Sequence, residues 1–314
     1  EISACLVGSE MCIRDSSKIL LLDWMQTYKE SQEKKGVRGS GKLIGNTMNV
    51  LRAFDGKAAM RDIDREFCLA LIDFLRNTYV SANGKKLSQF TCVSYFGCFR
   101  GALNAAVRED IIAENPINRL NTDEKIKMPE SRREFLTIDE VKTLIDAPCR
   151  REDIKSAFLF SCYCGLRISD VLALKWKNVD CTGEQWHINI IMQKTQQPLY
   201  LPLSMQARKW MPERDGSGEE EAVFSTLPCE DTCNVQIKQW VKEAGITKHV
   251  TYHVSRHTFA TMLLTLGADL YTVSKLLGHS QIKNTQVYAE IINRRKVEAV
   301  NLADNVFDTD DNLL

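Results

Sequence analysis

The 314-residue sequence lacks several features that mark particular classes of protein. It contains no run of eighteen apolar residues, so a membrane span is not expected. It has no internal repeat and no low-complexity tract. It also has no net charge, with 41 basic and 41 acidic side chains, and 44% of its residues are hydrophobic. This composition argues against a disordered or fibrous chain and favours a globular protein of two domains.

The sequence also lacks a secretory signal and a regular cysteine framework. Its eleven cysteines are odd in number and irregularly spaced, which predicts reduced thiols in a cytoplasmic protein. The alternative is zinc binding by two cysteine pairs, Cys162 with Cys164 and Cys229 with Cys233. Neither pair has the C-x2-C spacing of a zinc finger, and no cluster of carboxylates suits magnesium, so no metal site is predicted.

Residues 1–15, EISACLVGSEMCIRD, show neither helical nor strand periodicity. Because LVGSEMCIRD resembles a translated sequencing adapter, we interpret this segment as non-native and exclude it from the fold. In that case the natural N-terminus is missing and other sequence preceded Ser16. The alternative is a genuine short terminal segment.

Hydrophobic spacing predicts a helical domain over residues 16–120. Asp64 and Ser88 are predicted to cap two of its helices, and Asn115 followed by Pro116 is predicted to stop the last helical run. The first helix has four apolar side chains at i, i+3, i+4 and i+7, which therefore share one face: Leu21, Trp24, Met25 and Tyr28.

A polar segment, 121–134, is predicted to be a linker, and a second domain is predicted over 135–300. Its first helix begins with the capping box Thr137 to Glu140. Helices are expected over about 153–163, after a break at Gly165, and over most of 232–300. Two strand-like runs, 186–192 and 199–203, predict a hairpin. The predicted fold is thus mostly α, with a mixed α+β second domain that is mainly helical and has a small hairpin or sheet, followed by an acidic tail at 301–314.

Six polar residues of the second domain stand out for their chemistry: Arg167, Lys194, His253, Arg256, His279 and Tyr288. Arginines match the geometry and charge of a phosphate, a tyrosine hydroxyl can attack phosphorus, and a lysine can protonate a leaving alkoxide. Such a set needs no metal or cofactor, because fixed cations stabilise the transition state. Taken singly, each residue has an ordinary explanation as a surface, turn or packing residue, so the combination carries the prediction.

The order Arg, Lys, His-x-x-Arg, His, Tyr resembles that of the tyrosine recombinase (phage integrase) family. The flanking sequences are similar too: SCYCGLRISDVLALKW, HVSRHTFATMLL and LLGHSQIKNTQVYAEI. The resemblance extends over residues 16–300. The first domain is similar to the family's SAM-like core-site DNA-binding domain, most clearly at 102–117, ALNAAVREDIIAENPI.

The resemblance implies that Tyr288 is the nucleophile of a site-specific DNA recombinase. It would form a 3′-phosphotyrosyl bond and free a 5′-hydroxyl, while Arg167 and Arg256 clamp the scissile phosphate. The covalent bond would conserve energy, so the reaction would need neither ATP nor a metal.

The resemblance also implies roles in proton transfer and hydrogen bonding. Lys194 would protonate the 5′-oxygen, His253 would assist proton transfer, and His279 would hydrogen-bond a phosphate oxygen. Lys175 and Lys177 are nearby alternatives to Lys194.

The partners implied by the resemblance are double-stranded DNA, a homotetramer on paired sites with a Holliday junction intermediate, and accessory directionality factors. We predict the integrase of a bacterial mobile element. The alternatives are a resolvase or invertase, a type IB topoisomerase, a non-catalytic DNA-binding relic and a helical adaptor.

Many integrases carry a further N-terminal arm-binding domain, so this chain is expected to be truncated. The tail, with Val306, Phe307, Leu313 and Leu314, would dock on a neighbouring subunit or be disordered.

The DNA-facing residues of the first domain are predicted to be Lys85, Lys86, Thr91 and Arg100. Basic residues outnumber acidic ones over 16–133, whereas the two are balanced over 134–300. Phosphate contacts by this face would make DNA binding salt-dependent. A merely solvated charged face is the alternative.

Overall fold

The computed structural model describes residues 19–36, 39–129 and 133–288. The chain forms two compact units, Glu1–Glu130 and Ser131–Leu314, which divide inside the predicted linker. The predicted terminal segments, 1–15 and 301–314, lie outside the described residues. None of the helices in the described part is long and apolar enough to cross a membrane.

The first unit is built from α-helices joined by short turns. Its described α-helices are α1 (Leu21–Lys34), α2 (Ser40–Asp55), α3 (Arg65–Asp73) and α4 (Gln89–Arg108). Shorter helical turns are Met60–Asp62, Phe74–Thr78 and Pro116–Arg119. The predicted apolar face of α1 is confirmed, because Leu21, Trp24 and Met25 are buried and the Trp24 indole donates to the Ala102 carbonyl at 2.9 Å.

The predicted helix caps of this unit are confirmed, but the predicted end of its last helix is wrong. The side chains of Asp64 and Ser88 accept the first-turn N–H groups of α3 and α4. Helix α4 ends at Arg108, because the chain turns into the left-handed region at Asp110, a residue type that tolerates this conformation. Asn115 instead caps the short turn after it by accepting from the Ile117 N–H at 3.0 Å.

The second unit surrounds a small sheet with helices. In chain order its described elements are α5 (Ile138–Asp146), α6 (Glu152–Cys164), α7 (Ile168–Leu172), β1 (Val179–Asp180), β2 (His187–Ile191), β3 (Pro198–Pro202), α8 (Met205–Lys209), α9 (Glu230–Glu243), α10 (Tyr252–Leu266) and α11 (Leu270–Leu276). Turns of 3-10 helix follow at Ile282–Asn284 and Gln286–Tyr288. The predicted capping box of α5 is confirmed.

The sheet of the second unit is antiparallel in the order β1-β2-β3. The predicted hairpin is confirmed, with Ile188 opposite Leu201 and both side chains buried in the core. Helices α6 and α10 pack at the centre, where the Tyr252 hydroxyl donates to the Ala157 carbonyl at 2.7 Å. The mostly helical fold with a small sheet in the second unit agrees with the predicted class.

Candidate active site

Arg167 lies at the start of α7, where a left-handed glycine ends the preceding helix. Gly165 has φ +74°, and a Cβ atom there would lie 2.4 Å from the Phe259 ring, so the turn requires glycine. The Arg167 side chain is 13% exposed, and its Nη1 lies 3.4 Å from Met192 Sδ. The helix break therefore directs this guanidinium toward the hairpin.

A buried carboxylate, that of Asp170, connects Arg167 to the hairpin turn. Asp170 Oδ1 accepts the Gln193 N–H at 2.7 Å, and Oδ2 lies 3.8 Å from Arg167 Nη1. Burial lowers the pKa of Arg167, and the charge of Asp170 opposes that shift. One carboxylate thus positions both the arginine and the chain segment next to Lys194.

Arg256 is buried in α10 and is held by two main-chain carbonyl groups. Its Nη1 donates to the Gly165 oxygen at 2.7 Å and its Nη2 to the Leu277 oxygen at 2.5 Å. Burial, and then the charge of Arg167, lower its pKa to about 9, so it stays charged at neutral pH. This side chain fixes the segment before Arg167 and the segment before His279 to the same helix.

Two predicted imidazoles lie in the positive field of these arginines. The residue His253 is solvent exposed, yet the protein around its ring and then Arg256 lower its pKa to about 4. Burial, and then Arg256, lower the pKa of His279 to about 4, and its Nδ1 lies 2.9 Å from Thr285 Oγ1. Both rings are therefore neutral at pH 7.

Lys194 is exposed in the turn between β2 and β3. Its charge is the last of the causes that lower the pKa of His253, after burial and three arginines. The two alternative lysines are already engaged, because Lys175 and Lys177 each contact Glu220, at 2.9 and 2.7 Å. Lys194, by contrast, is exposed and makes no ion pair within the described residues.

Tyr288 is 5% exposed and lies in the last described turn. Its hydroxyl oxygen is 2.6 Å from Nδ1 of His257, a residue on α10 that is 7% exposed. Burial raises the pKa of Tyr288, while Arg133 and Arg256 oppose the shift. Burial, and then His253, lower the pKa of His257 to about 3, so this ring is neutral as well.

Models of known families match nearly all of the described chain. The phage integrase family matches residues 134–294, and the phage integrase SAM-like domain matches residues 20–126.

The chain belongs to the phage integrase family.

Individual relatives of this family member are tyrosine recombinases. A tyrosine recombinase of Pseudothermotoga lettingae is 26% identical over 252 residues, which cover 77% of this chain and 83% of the relative. Tyrosine recombinase XerD of Pseudomonas putida is 30% identical over 213 residues, covering 62% and 69%. The Tn1549 transposon integrase, in complex with circular intermediate DNA, has a TM-score of 0.67 at 18% identity, covering 86% of this chain and 95% of that one. A lambda integrase dimer on a core site has a TM-score of 0.66 at 17% identity, with the same coverage, and both likenesses show the shared fold.

Three residues near the site of this integrase-family chain escaped the sequence reasoning: Asp170, His257 and Arg133. Spacing carried a signal for His257, which follows His253 at i+4 on the same helix face. Arg133 falls at the end of the predicted linker, 121–134, for which no role in the site was predicted. Its charge nonetheless opposes the burial that raises the pKa of Tyr288.

The DNA-facing residues predicted in the first unit do not form one continuous face. Lys85 and Lys86 are exposed in the turn before α4, and Arg100 is exposed farther along that helix. Thr91 belongs to the cap, since its N–H and its hydroxyl both contact the Ser88 hydroxyl. Nine positions separate Thr91 from Arg100, about two and a half turns, so they lie on opposite sides of α4.

Both cysteine pairs considered for zinc consist of free thiols. Cys162 and Cys164 are buried in the core of α6, where burial raises the pKa of both thiols. No group of three metal-ligating side chains occurs within the described ranges.

Proposed function

We propose that this phage integrase family member is a site-specific DNA recombinase that acts as the integrase of a mobile element. It cleaves and rejoins double-stranded DNA through a 3′-phosphotyrosyl intermediate. The observation that carries the proposal is that the buried hydroxyl of Tyr288 bonds to His257, the neighbour of Arg256 on α10, while Arg256 also binds the Gly165 carbonyl two residues before Arg167. The likeness to a transposon integrase and to tyrosine recombinases supports it.

The two arginines act as the phosphate clamp. Carbonyl groups hold Arg256 in place, and Asp170 with Met192 holds Arg167. Each guanidinium keeps further N–H groups for the non-bridging oxygens of a phosphodiester. Because the clamp is rigid and shielded from water, it stabilises the extra negative charge of the pentacoordinate transition state.

The cleavage step then runs through Tyr288. Its Oη forms a bond to phosphorus as the bond from phosphorus to the 5′-oxygen breaks, and Lys194 supplies the proton that the leaving oxygen takes up. His253, neutral and exposed, assists proton transfer on the DNA side. If the Thr285 hydroxyl donates to Nδ1 of His279, then Nε2 carries hydrogen and donates to a phosphate oxygen.

Strand exchange follows by the reverse step. The 5′-hydroxyl of a second duplex attacks the phosphorus of the phosphotyrosyl ester, the bond from phosphorus to Oη breaks, and Tyr288 is released with its proton restored. Because the ester retains the energy of the broken phosphodiester, no ATP is consumed. Two rounds in a homotetramer pass through a Holliday junction, with accessory proteins setting the direction. A lambda integrase tetramer bound to a Holliday junction, with a TM-score of 0.64 at 17% identity, shares the fold of this chain.

Covalent trapping tests this function. The chain and its Tyr288→Phe variant are incubated with nicked fragments of the source element's DNA, and adducts that survive SDS are isolated and sequenced. We expect an adduct with the unchanged chain only, joined to a 3′-phosphate at one position. Salt-sensitive DNA binding with no adduct from either protein would contradict the proposal and favour a non-catalytic relic.

A further inference from the structure

The hydroxyl of Tyr288 has a hydrogen-bond partner that is not one of the six catalytic residues predicted from the sequence. His257 Nδ1 lies 2.6 Å from Tyr288 Oη, and both side chains are buried. Within the described residues this imidazole is the one polar group bonded to that hydroxyl. A group hydrogen-bonded to the nucleophile's hydroxyl is placed to take part in the reaction.

We propose that His257 is a further catalytic residue, the group that accepts the proton of Tyr288 when the hydroxyl attacks phosphorus. The inference rests on the proposed recombinase function. In cleavage the Oη–phosphorus bond forms, the bond from phosphorus to the 5′-oxygen breaks, the tyrosine proton moves to His257 Nδ1, and the 5′-oxygen takes a proton from Lys194. In ligation both protons return.

Contacts and burial distinguish His257 from His253. The two rings meet edge to face, with centroids 4.6 Å apart and an interplanar angle of 86°. His253 is exposed and makes no hydrogen bond within the described ranges, whereas His257 is buried against the tyrosine. The two rings therefore have different roles, with His253 facing the DNA and His257 facing the nucleophile.

The position of His257 is fixed before DNA binds. Its neighbour Arg256 is anchored to two carbonyl groups, and its neighbour Thr258 accepts the Leu136 N–H through Oγ1 at 2.9 Å. These contacts hold this turn of α10 on both sides of the imidazole. A proton acceptor held in this way needs no rearrangement during the reaction.

Charge couples proton transfer to the presence of DNA. The groups that face the His257 ring are His253, Arg133, Arg256, His279 and the Tyr288 hydroxyl. Without DNA, burial and the positive charges of Arg133 and Arg256 keep the ring neutral, which is the form that accepts a proton. A phosphate between the arginines brings negative charge that partly cancels their field, so protonation of the ring becomes easier when substrate is bound.

The test uses the full chain and distinguishes loss of the group that accepts the tyrosine proton from loss of the group that protonates the leaving oxygen. His257→Asn keeps a hydrogen-bonding atom near the Nδ1 position but cannot take a proton. Single-turnover cleavage is measured on a normal site and on one with sulfur at the 5′-bridging position, a leaving group that needs no proton donor. We expect His257→Asn to be about 100-fold or more slower on both substrates. Lys194→Ala should be slow on the normal site and recover on the sulfur substrate, and His249→Asn, at an exposed ring outside the site, should cleave normally.

The pH profile gives a second readout. If His257 is the acceptor, the profile of the unchanged chain has an acidic limb that His257→Asn lacks. A His257→Asn rate equal to that of the unchanged chain, with the same pH profile, would overturn the inference. Failure of the unchanged chain to cleave either substrate would instead overturn the proposed function.

A measurement without a substitution at His257 covers the case in which that variant fails to fold. Nitrogen-15 shifts of the histidine rings are recorded for the unchanged chain and for Tyr288→Phe. We expect an unprotonated Nδ1 on His257 that loses a hydrogen bond in Tyr288→Phe. A protonated Nδ1 in the unchanged chain would mean that His257 donates to the tyrosine, which contradicts the inference.

Discussion

At the scale of single residues, Arg256 has both a structural and a chemical part. Its guanidinium satisfies the carbonyl oxygens of Gly165 and Leu277, which lie in loops 91 and 21 residues away along the chain. Removal of the side chain would leave two buried acceptors unpaired, a cost of about 1–3 kcal/mol for each group. The same side chain therefore maintains the clamp that it belongs to.

Buried neutral imidazoles should make the stability of the second unit pH-dependent. The pKa of His257 is about 3 in the folded chain, whereas an unfolded histidine titrates near 6.5. Below pH 6.5 the unfolded chain binds a proton that the folded chain does not. The free energy of unfolding therefore falls as the pH drops from about 6.5 toward 3, by up to about 1.4 kcal/mol per pH unit for this group, and is independent of it above that range.

Urea unfolding at pH 7 and pH 5 checks the effect of this imidazole. We expect the unchanged chain to lose about 2 kcal/mol more than His257→Asn between the two pH values. Other titrating groups are common to both proteins and cancel in the difference. Equal losses would mean that His257 is not held neutral by the fold.

The sequence predicted residues of the site but not the contacts that these residues make with one another. Arg167, Arg256 and Tyr288 were recognised because their chemistry and order suit phosphoryl transfer, and these roles remain predictions. His257 was missed because His253 and Arg256 already account for the motif, and because its partner Tyr288 lies 31 residues further along the chain. No local pattern relates residues at that distance.

At the scale of elements, the turn between α6 and α7 should be sensitive to substitution of its glycine, Gly165. Gly165 combines φ +74° with a lack of space, because an added Cβ would lie 2.4 Å from the Phe259 ring and 3.1 Å from Leu277. Its carbonyl also accepts a hydrogen bond from Arg256. Gly165→Ala should destabilise the chain by about 2–4 kcal/mol and slow cleavage, because the clamp must shift.

A matched substitution distinguishes the cost of backbone strain from the cost of crowding in this turn. Gly245 follows α9 with φ +78° and has no atom within 4 Å of the position of a Cβ. Gly245→Ala should cost only about 1 kcal/mol and leave cleavage unchanged. Thermal unfolding and single-turnover cleavage of both variants check the prediction, and equal losses in the two would show that crowding against Phe259 is unimportant.

Elements with strong local signals were predictable, and weak ones were not. The hairpin of β2 and β3 followed from alternating apolar residues, and the caps at Asp64, Ser88 and Thr137 followed from side-chain chemistry. Strand β1 has only two residues, too few for any alternation, and it exists because it pairs with β2. The early end of α4 depends on one left-handed residue, Asp110, which periodicity does not show.

At the scale of the whole molecule, charge is distributed unevenly although the total is zero. If the exposed lysines before α4 contact phosphates, their removal should weaken DNA binding and reduce its salt dependence. For Lys85→Ala with Lys86→Ala, we expect the slope of log K against log salt to become shallower by about 2.

A charge-matched control tests whether this effect is local. Lys57→Ala with Arg61→Ala removes the same charge at two other exposed positions of the first unit. Binding is measured by titration at several salt concentrations. If both double variants change the slope equally, net charge alone is responsible and the turn at Lys85 is not a DNA contact.

Features that depend on neighbours along the chain and on residue chemistry follow from the amino-acid sequence alone. Helical and strand periods set most elements, capping side chains set several helix starts, and the order of arginine, lysine, histidine and tyrosine indicated the family. Which groups are buried, and which are in contact, depends instead on how the chain folds. The carbonyl partners of Arg256, the neutral state of the imidazoles and the bond between His257 and Tyr288 all depend on contacts between distant segments. Burial and electric field are sums over those contacts, so they exist only once the chain has folded.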